Sequence, residues 1–152
     1  MSRTVSDRPV KLTICSTPEH LSVVRAATEK VCRAIGFDEK GTTQVILSVD
    51  EALTNVIRHA YGGREDQPID IELAADREAP AGGVRIRIRD YGSFTGPVAA
   101  RRPEPQALRP GGLGVYIMQE CMDLVEYERA DGGGTLLTML KRLPPPDGGS
   151  DG

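Results

Sequence analysis

In residues 69–73 and 84–88 the apolar side chains fall at every second position, Ile69, Ile71 and Leu73, then Val84, Ile86 and Ile88. Successive side chains of a strand leave on opposite faces, so this period predicts two strands that each have one apolar face. Between the apolar positions of the second run, Arg85, Arg87 and Arg89 form a basic row on the other face, for which solvent is the ordinary environment and a docking surface the sharper reading. A sheet of such strands needs cover on one side only, and the chain holds the helices to supply it. Leu21, Val24, Thr28, Val31 and Ile35 recur at helical spacing behind Thr17 as N-cap and Pro18 at the first helical position, and Gly36 ends the run. A second helix runs from a cap at Asp38 to about Ala60 and stops at Gly62-Gly63; a third begins near Gly112, with Leu113, Ile117 and Cys121 on its apolar side. Strand patterns at residues 10–15, 124–128 and 135–141 complete the set, the last two joined across Asp131-Gly132-Gly133 as a hairpin. Strands and helices do not alternate strictly. The order therefore predicts an α+β fold, a two-layer sandwich of a mixed, mainly antiparallel sheet with three helices on one face.

With 152 residues the chain suits one core, placed here at residues 10–142. Residues 1–9 and 143–152 lack periodicity and read as flexible tails, the second rich in Pro and Gly. Residues 91–111 are long, aperiodic and rich in Pro, Gly and Arg, which marks a candidate lid. A formal charge of -3 argues against a protein that grips nucleic-acid phosphates broadly. No apolar window is long enough to span a membrane, and the N-terminus lacks the apolar core of a signal peptide. Cys15, Cys32 and Cys121 are odd in number and lie within periodic segments, so they read as reduced core thiols and the expected location is cytoplasmic.

On the second helix, Val45, Val49, Ala52, Leu53, Val56, Ile57 and Ala60 cover an arc of roughly 140° that faces the core. Glu51, Asn55 and His59 lie four residues apart along one margin of that arc. There a carboxylate can orient or deprotonate a nucleophile, and a carboxamide oxygen one turn away can ligate Mg²⁺, a cation that prefers oxygen donors. The same residues also suit the polar margin of an ordinary amphipathic helix, and His59 suits a helix end. Asp90 ends the strand that begins at Val84 and has the inward parity, so its carboxylate needs a donor in the pocket; the exocyclic amine of adenine is one, and a turn at Asp90-Tyr91-Gly92 is the structural alternative. Gly111-Gly112-Leu113-Gly114 at a helix start offers backbone N–H groups to phosphate oxygens, although glycines also simply end loops.

Taken in order, Glu51-x-x-x-Asn55-x-x-x-His59-Ala60-Tyr61, Asp90-x-Gly92, Gly112-x-Gly114 and Gly134-Thr135 resemble the nucleotide-binding boxes of the Bergerat-fold ATPases, the superfamily of gyrase, histidine kinases and mismatch-repair ATPases. The wording of the boxes is most similar to the anti-sigma-factor serine kinases of bacterial partner-switching systems, over roughly residues 10–142. The resemblance implies ATP and Mg²⁺ as cofactors, Glu51 as general base and Asn55 as metal ligand. It implies Asp90 as adenine contact with Gly92 beside it and Thr135 assisting through water, and Gly112, Leu113 and Gly114 at the phosphates. Arg101, Arg102 and Arg109 become candidates to meet the triphosphate from the lid. Ser93 replaces a glycine that many relatives have, and Pro110-Gly111 stand where an arginine or serine is frequent.

The function implied is an ATP-dependent serine/threonine protein kinase that phosphorylates an anti-sigma-factor antagonist and sequesters a sigma factor, as a homodimer, without contacting nucleic acid or membrane. The alternative is a non-catalytic nucleotide-binding module that works through protein contacts alone. A fragment of a sensor histidine kinase is disfavoured, since no helical hairpin with a phosphoacceptor histidine precedes the domain.

Overall fold

The computed structural model describes residues 8–78, 81–92 and 110–145, and for 110–115 the backbone alone. The two expected tails, other than residues 8–9 and 143–145, lie outside the described residues, as do residues 93–109, which include Ser93, Arg101, Arg102 and Arg109. The chain runs as β1 (Val10–Cys15), α1 (Leu21–Ile35), α2 (Glu39–Asn55), β2 (Pro68–Asp76), β3 (Gly83–Asp90), α3 (Pro110–Cys121), β4 (Leu124–Arg129) and β5 (Thr135–Arg142). This is the expected order. Its five strands form one sheet in the order β1-β2-β3-β5-β4. The sheet expected to be mixed is antiparallel at all four pairings, because each sheet neighbour is entered from the opposite end.

Sequence signals set the helix ends, with small differences. Thr17 caps as expected, accepting from the Glu19 N–H, but residues Pro18–His20 form a 3-10 turn and the α-helix proper starts at Leu21. Asp38 caps α2 by accepting from the Gly41 N–H at 2.8 Å. The third helix begins two residues before Gly112, at Pro110, a residue whose missing N–H is no loss in a first turn.

Register explains why one face is buried. The row Leu12–Ile71–Ile88–Leu137–Tyr127 crosses the whole sheet, flanked by Leu73, Ile86, Met139 and Val125. These side chains meet Val24, Val45, Val49, Leu53 and Met118 of the helices in a single core. Burying a side chain such as Ile86 or Leu53 stabilises the fold by about 1.5–3 kcal/mol each. Of the three thiols, Cys32 is a core residue, with burial pushing its pKa up to about 12. Cys15 is exposed and Cys121 half-buried, which corrects the reading of all three as core. Cys15 has the parity of Thr13, the outer face of an edge strand, and an apolar segment does not reveal its parity at a strand end.

Arg85, Arg87 and Arg89 leave the outer face, opposite Ala74, Glu72 and Asp70 of β2. The row is not simply solvated. Arg85 lies 3.9 Å from the carboxylate of Asp76, and Arg89 donates to the carbonyls of Asp131 and Gly133 at 3.0 Å while covering the Tyr91 ring at 4.3 Å. The Tyr91 hydroxyl in turn donates to Asp70, which also accepts from Thr13 at 2.7 Å. A chain of contacts thus ties β1 to the β4–β5 turn below the strand ends.

Candidate functional site

The packing of α2 between α1 and α3 follows from the arc of apolar residues read in its sequence; Val45, Val49, Ala52 and Leu53 are buried. Glu51 and Asn55, at its margin, are half-buried as that geometry requires. Next to Glu51, Asp50 accepts two hydrogen bonds at 3.0 Å from Arg25, which fixes this turn of α2 against α1. The Asn55 amide nitrogen is buried and has no partner among the described residues. An orphaned buried donor costs about 1–3 kcal/mol, so it points to a ligand that brings an acceptor. Among the described residues no group of three or more His, Cys, Asp or Glu converges on a metal position. The Asn55 carboxamide offers one oxygen donor, so a metal here would have to draw its other ligands from a bound molecule and water.

The second helix does not continue regularly to Ala60. Residues Val56–Ala60 form a π-helical turn, in which the Tyr61 N–H donates to the Val56 carbonyl at 3.0 Å. In an α-helix five residues rotate by about 500°, leaving Tyr61 roughly 140° away from Val56. The wider turn brings it back beneath Val56 and into the core, where it is 5% exposed. His59 in the same turn is exposed, as a helix-end residue. Nothing in the periodicity of residues 45–60 announces the π turn, and Tyr61, which it carries to the end of β3, has no role in the sequence reading beyond its place in the first motif.

Asp90 has the inward parity expected and is 2% exposed. Desolvation pushes its carboxyl above the ordinary range, against the backbone N–H groups of Gly92 and Thr135, which stabilise the charged form. Thr135 is its register partner on β5 and is also buried. Two glycines let other segments reach this strand end. A side-chain carbon on Gly92 would overlap the Ala60 carbonyl, and one on Gly134 would overlap the Asp90 carbonyl. Gly134 also stands at φ 85°, a conformation that only glycine adopts freely. The helix end at residues 60–61, the strand end at 90–92 and the β4–β5 turn therefore converge on Asp90. The expected Asp90, Gly92 and Thr135 stand together.

Gly112, Leu113 and Gly114 belong to the first turns of α3, which packs along α2. The first N–H groups of a helix lack partners within it and carry its positive dipole end. The second helix and the glycine-rich third helix pack on each other, and the turn that ends the second helix meets the strand end of Asp90 through Gly92. By chemical type, a buried carboxylate suits an amine donor, a helix start an anion and a carboxamide oxygen a hard cation.

Comparison with known proteins agrees. Residues 14–141 match the model of the histidine kinase-like ATPase domain. The chain is similar to the serine-protein kinase RsbW of Halalkalibacterium halodurans, 29% identical over 143 residues, or 88% of this chain and 83% of that protein. It is 26% identical to the serine-protein kinase RsbW of Listeria monocytogenes over 139 residues, 85% of each chain. Among solved structures, the RsbU and RsbW domains of a Mycobacterium tuberculosis protein share its fold with a TM-score of 0.63 at 21% identity; the match takes in 91% of this chain and 33% of that one. With a family model matched over nearly all of the described fold, the chain belongs to the histidine kinase-like ATPase domain family.

Proposed function

We propose that the protein is an ATP-dependent serine/threonine kinase that acts as an anti-sigma factor. It phosphorylates an anti-sigma-factor antagonist and holds a sigma factor when that antagonist is modified. The observation that carries the nucleotide part is Asp90, a buried carboxylate of inward parity with its pKa raised, since the N–H groups of Gly92 and Thr135 leave part of its desolvation uncompensated and the adenine amine supplies a further donor. The names of the relatives and the place of Glu51 support the kinase part.

In this reading Asp90 accepts from the adenine amine, with Gly92 beside it and Thr135 assisting. The N–H groups of Gly112, Leu113 and Gly114 meet the phosphates. Mg²⁺ bound with ATP would neutralise phosphate charge; the Asn55 carboxamide oxygen would be its ligand from this chain, and the Asn55 amide nitrogen, which has no partner among the described residues, would donate to a phosphate oxygen. Glu51 orients the serine hydroxyl of the substrate and takes its proton as the oxygen attacks the γ-phosphorus. The bond from that phosphorus to the bridging oxygen breaks and ADP leaves. The sigma factor and the antagonist are protein partners, and the working unit is a homodimer.

Replacing Glu51 with Gln tests the chemistry. Transfer of radiolabelled γ-phosphate to the antagonist is expected to fall by about 10²–10⁴-fold, the usual worth of a general base, with ATP affinity within about threefold of the parent. Undiminished transfer would sink the assignment of Glu51. ATP binding with no transfer by the parent protein to any antagonist would favour a non-catalytic interaction module.

A further inference from the structure

The Tyr61 hydroxyl lies between two backbone groups of separate strands. It donates to the Pro68 carbonyl at the start of β2, at 2.6 Å, and accepts from the Tyr91 N–H just past the end of β3, at 2.7 Å. Both strand ends border Asp90, which stands opposite Ile69 in the β2–β3 register. The phenol is buried, and burial raises its pKa first of all, so it stays protonated and keeps its donor. It hangs from the π turn that closes the helix of Glu51 and Asn55.

We propose that Tyr61 is a positioning residue for nucleotide recognition, its hydroxyl holding the Asp90-Tyr91 peptide so that the Asp90 carboxylate faces the adenine amine. Three observations converge on this role. Tyr91 cannot take over the task by itself, because its ring and hydroxyl are committed to Arg89 and Asp70 on the outer face. Gly92 lies so close to the Ala60 carbonyl that no side chain fits between the turn bearing Tyr61 and the strand end. The Asp90 carboxylate accepts from the Gly92 N–H at 3.0 Å, so a rotation of the Tyr91 peptide displaces the bond that aims the carboxylate. The helix carrying the catalytic margin and the strand end carrying base recognition are in this way locked through one oxygen atom.

The inference rests on the reading of Asp90 as the adenine contact, and its test separates the two. Binding of ATP and of purine riboside triphosphate, which lacks the exocyclic amine, is measured by calorimetry for the parent and for Tyr61→Phe. The parent is expected to prefer ATP; a parent that binds neither, or both equally, overturns the role of Asp90 and with it that of Tyr61. If the parent discriminates, Tyr61→Phe is expected to lose about tenfold in ATP affinity, the worth of one well-aimed hydrogen bond, and to bind the amine-free analogue within about threefold of the parent. Equal losses for both nucleotides, or no loss for either, overturn the proposal and leave Asp90 standing. Should Tyr61→Phe fail to fold, amide hydrogen exchange on the parent decides. The Tyr91 N–H is expected to be protected like the interior of β3, and exchange at the rate of an open loop overturns the clamp.

Discussion

At the scale of single residues, Asp90 is where folding and function oppose each other. Its carboxylate is buried, and the raised pKa means that the folded protein holds the proton more tightly than the unfolded chain does. The stabilisation belonging to this group is therefore complete below the ordinary carboxylate pKa and is lost as pH rises through the higher folded value. The charged form carries a desolvation cost that the N–H groups of Gly92 and Thr135 offset in part and that a ligand donor offsets further. Asp90→Asn is accordingly expected to melt at or above the parent's Tm at pH 7 in the absence of nucleotide, and to lose part of the parent's fall in stability as pH rises above the ordinary carboxylate pKa. The same variant is expected to bind ATP about 10- to 100-fold more weakly, because an amide nitrogen then faces the adenine amine. A Tm well below the parent's at pH 7 would show that the carboxylate serves the fold, with the N–H groups of Gly92 and Thr135 outweighing its desolvation.

Between elements, the closest fit in the site is the approach of the β4–β5 turn to the end of β3. Gly134 combines φ 85° with a neighbour, the Asp90 carbonyl, that leaves no space for a side chain, whereas Gly132 has φ 86° and open surroundings. Both alanine variants carry the conformational penalty, about 1–2 kcal/mol, and only Gly134→Ala adds an overlap with backbone. Urea denaturation should place Gly134→Ala at least about 2 kcal/mol below Gly132→Ala, with ATP affinity reduced in the first and kept in the second; equal losses would mean that the turn yields freely. This contrast also shows what a sequence can and cannot tell. Ile69, Ile71, Leu73 and Val84, Ile86, Ile88 announce their strands because period two is local, and Leu21 to Ile35 announces a helix for the same reason. The parity of Asp90 was likewise legible from three residues before it. Gly134, Tyr61 and Gly92 have their roles only against one another, at separations of about 30 to 70 residues along the chain, and no period encodes that meeting. The π turn at Val56–Ala60 escaped for a related reason: its residues fit an α-helix equally well, and the pull that widens the turn is the burial of Tyr61 against distant strands. That Cys15 faces outward depends on pairing with β2, again beyond the segment itself.

For the whole molecule, the site draws on elements from both ends of the chain. The margin residues sit on α2, the carboxylate on β3, its partner Thr135 on β5, and the glycine-rich turn on α3, all bordering one continuous core. A ligand in such a position is bound by the native state alone, since no part of the site survives when the core opens. Nucleotide should therefore stabilise the whole fold against global unfolding and not a local segment alone. By mass action, ATP with Mg²⁺ at 100 times its Kd adds about 2.7 kcal/mol. In a domain of this size each kcal/mol moves Tm by about 2–4 °C, so calorimetry should show a single transition shifted upward by about 5–11 °C. The variants divide the shift by role. Glu51→Gln, which removes the proposed base and no recognition, should keep it; Asp90→Asn should lose about half of it if binding weakens about tenfold and most of it if binding weakens about 100-fold. A ligand-sensitive transition that separates from a second, insensitive one would mean that the elements around Asp90 open as an independent unit. Tyr61 makes the opposite expectation, because it ties the helix of Glu51 to the ends of β2 and β3 through hydrogen bonds that break only when helix layer and sheet part.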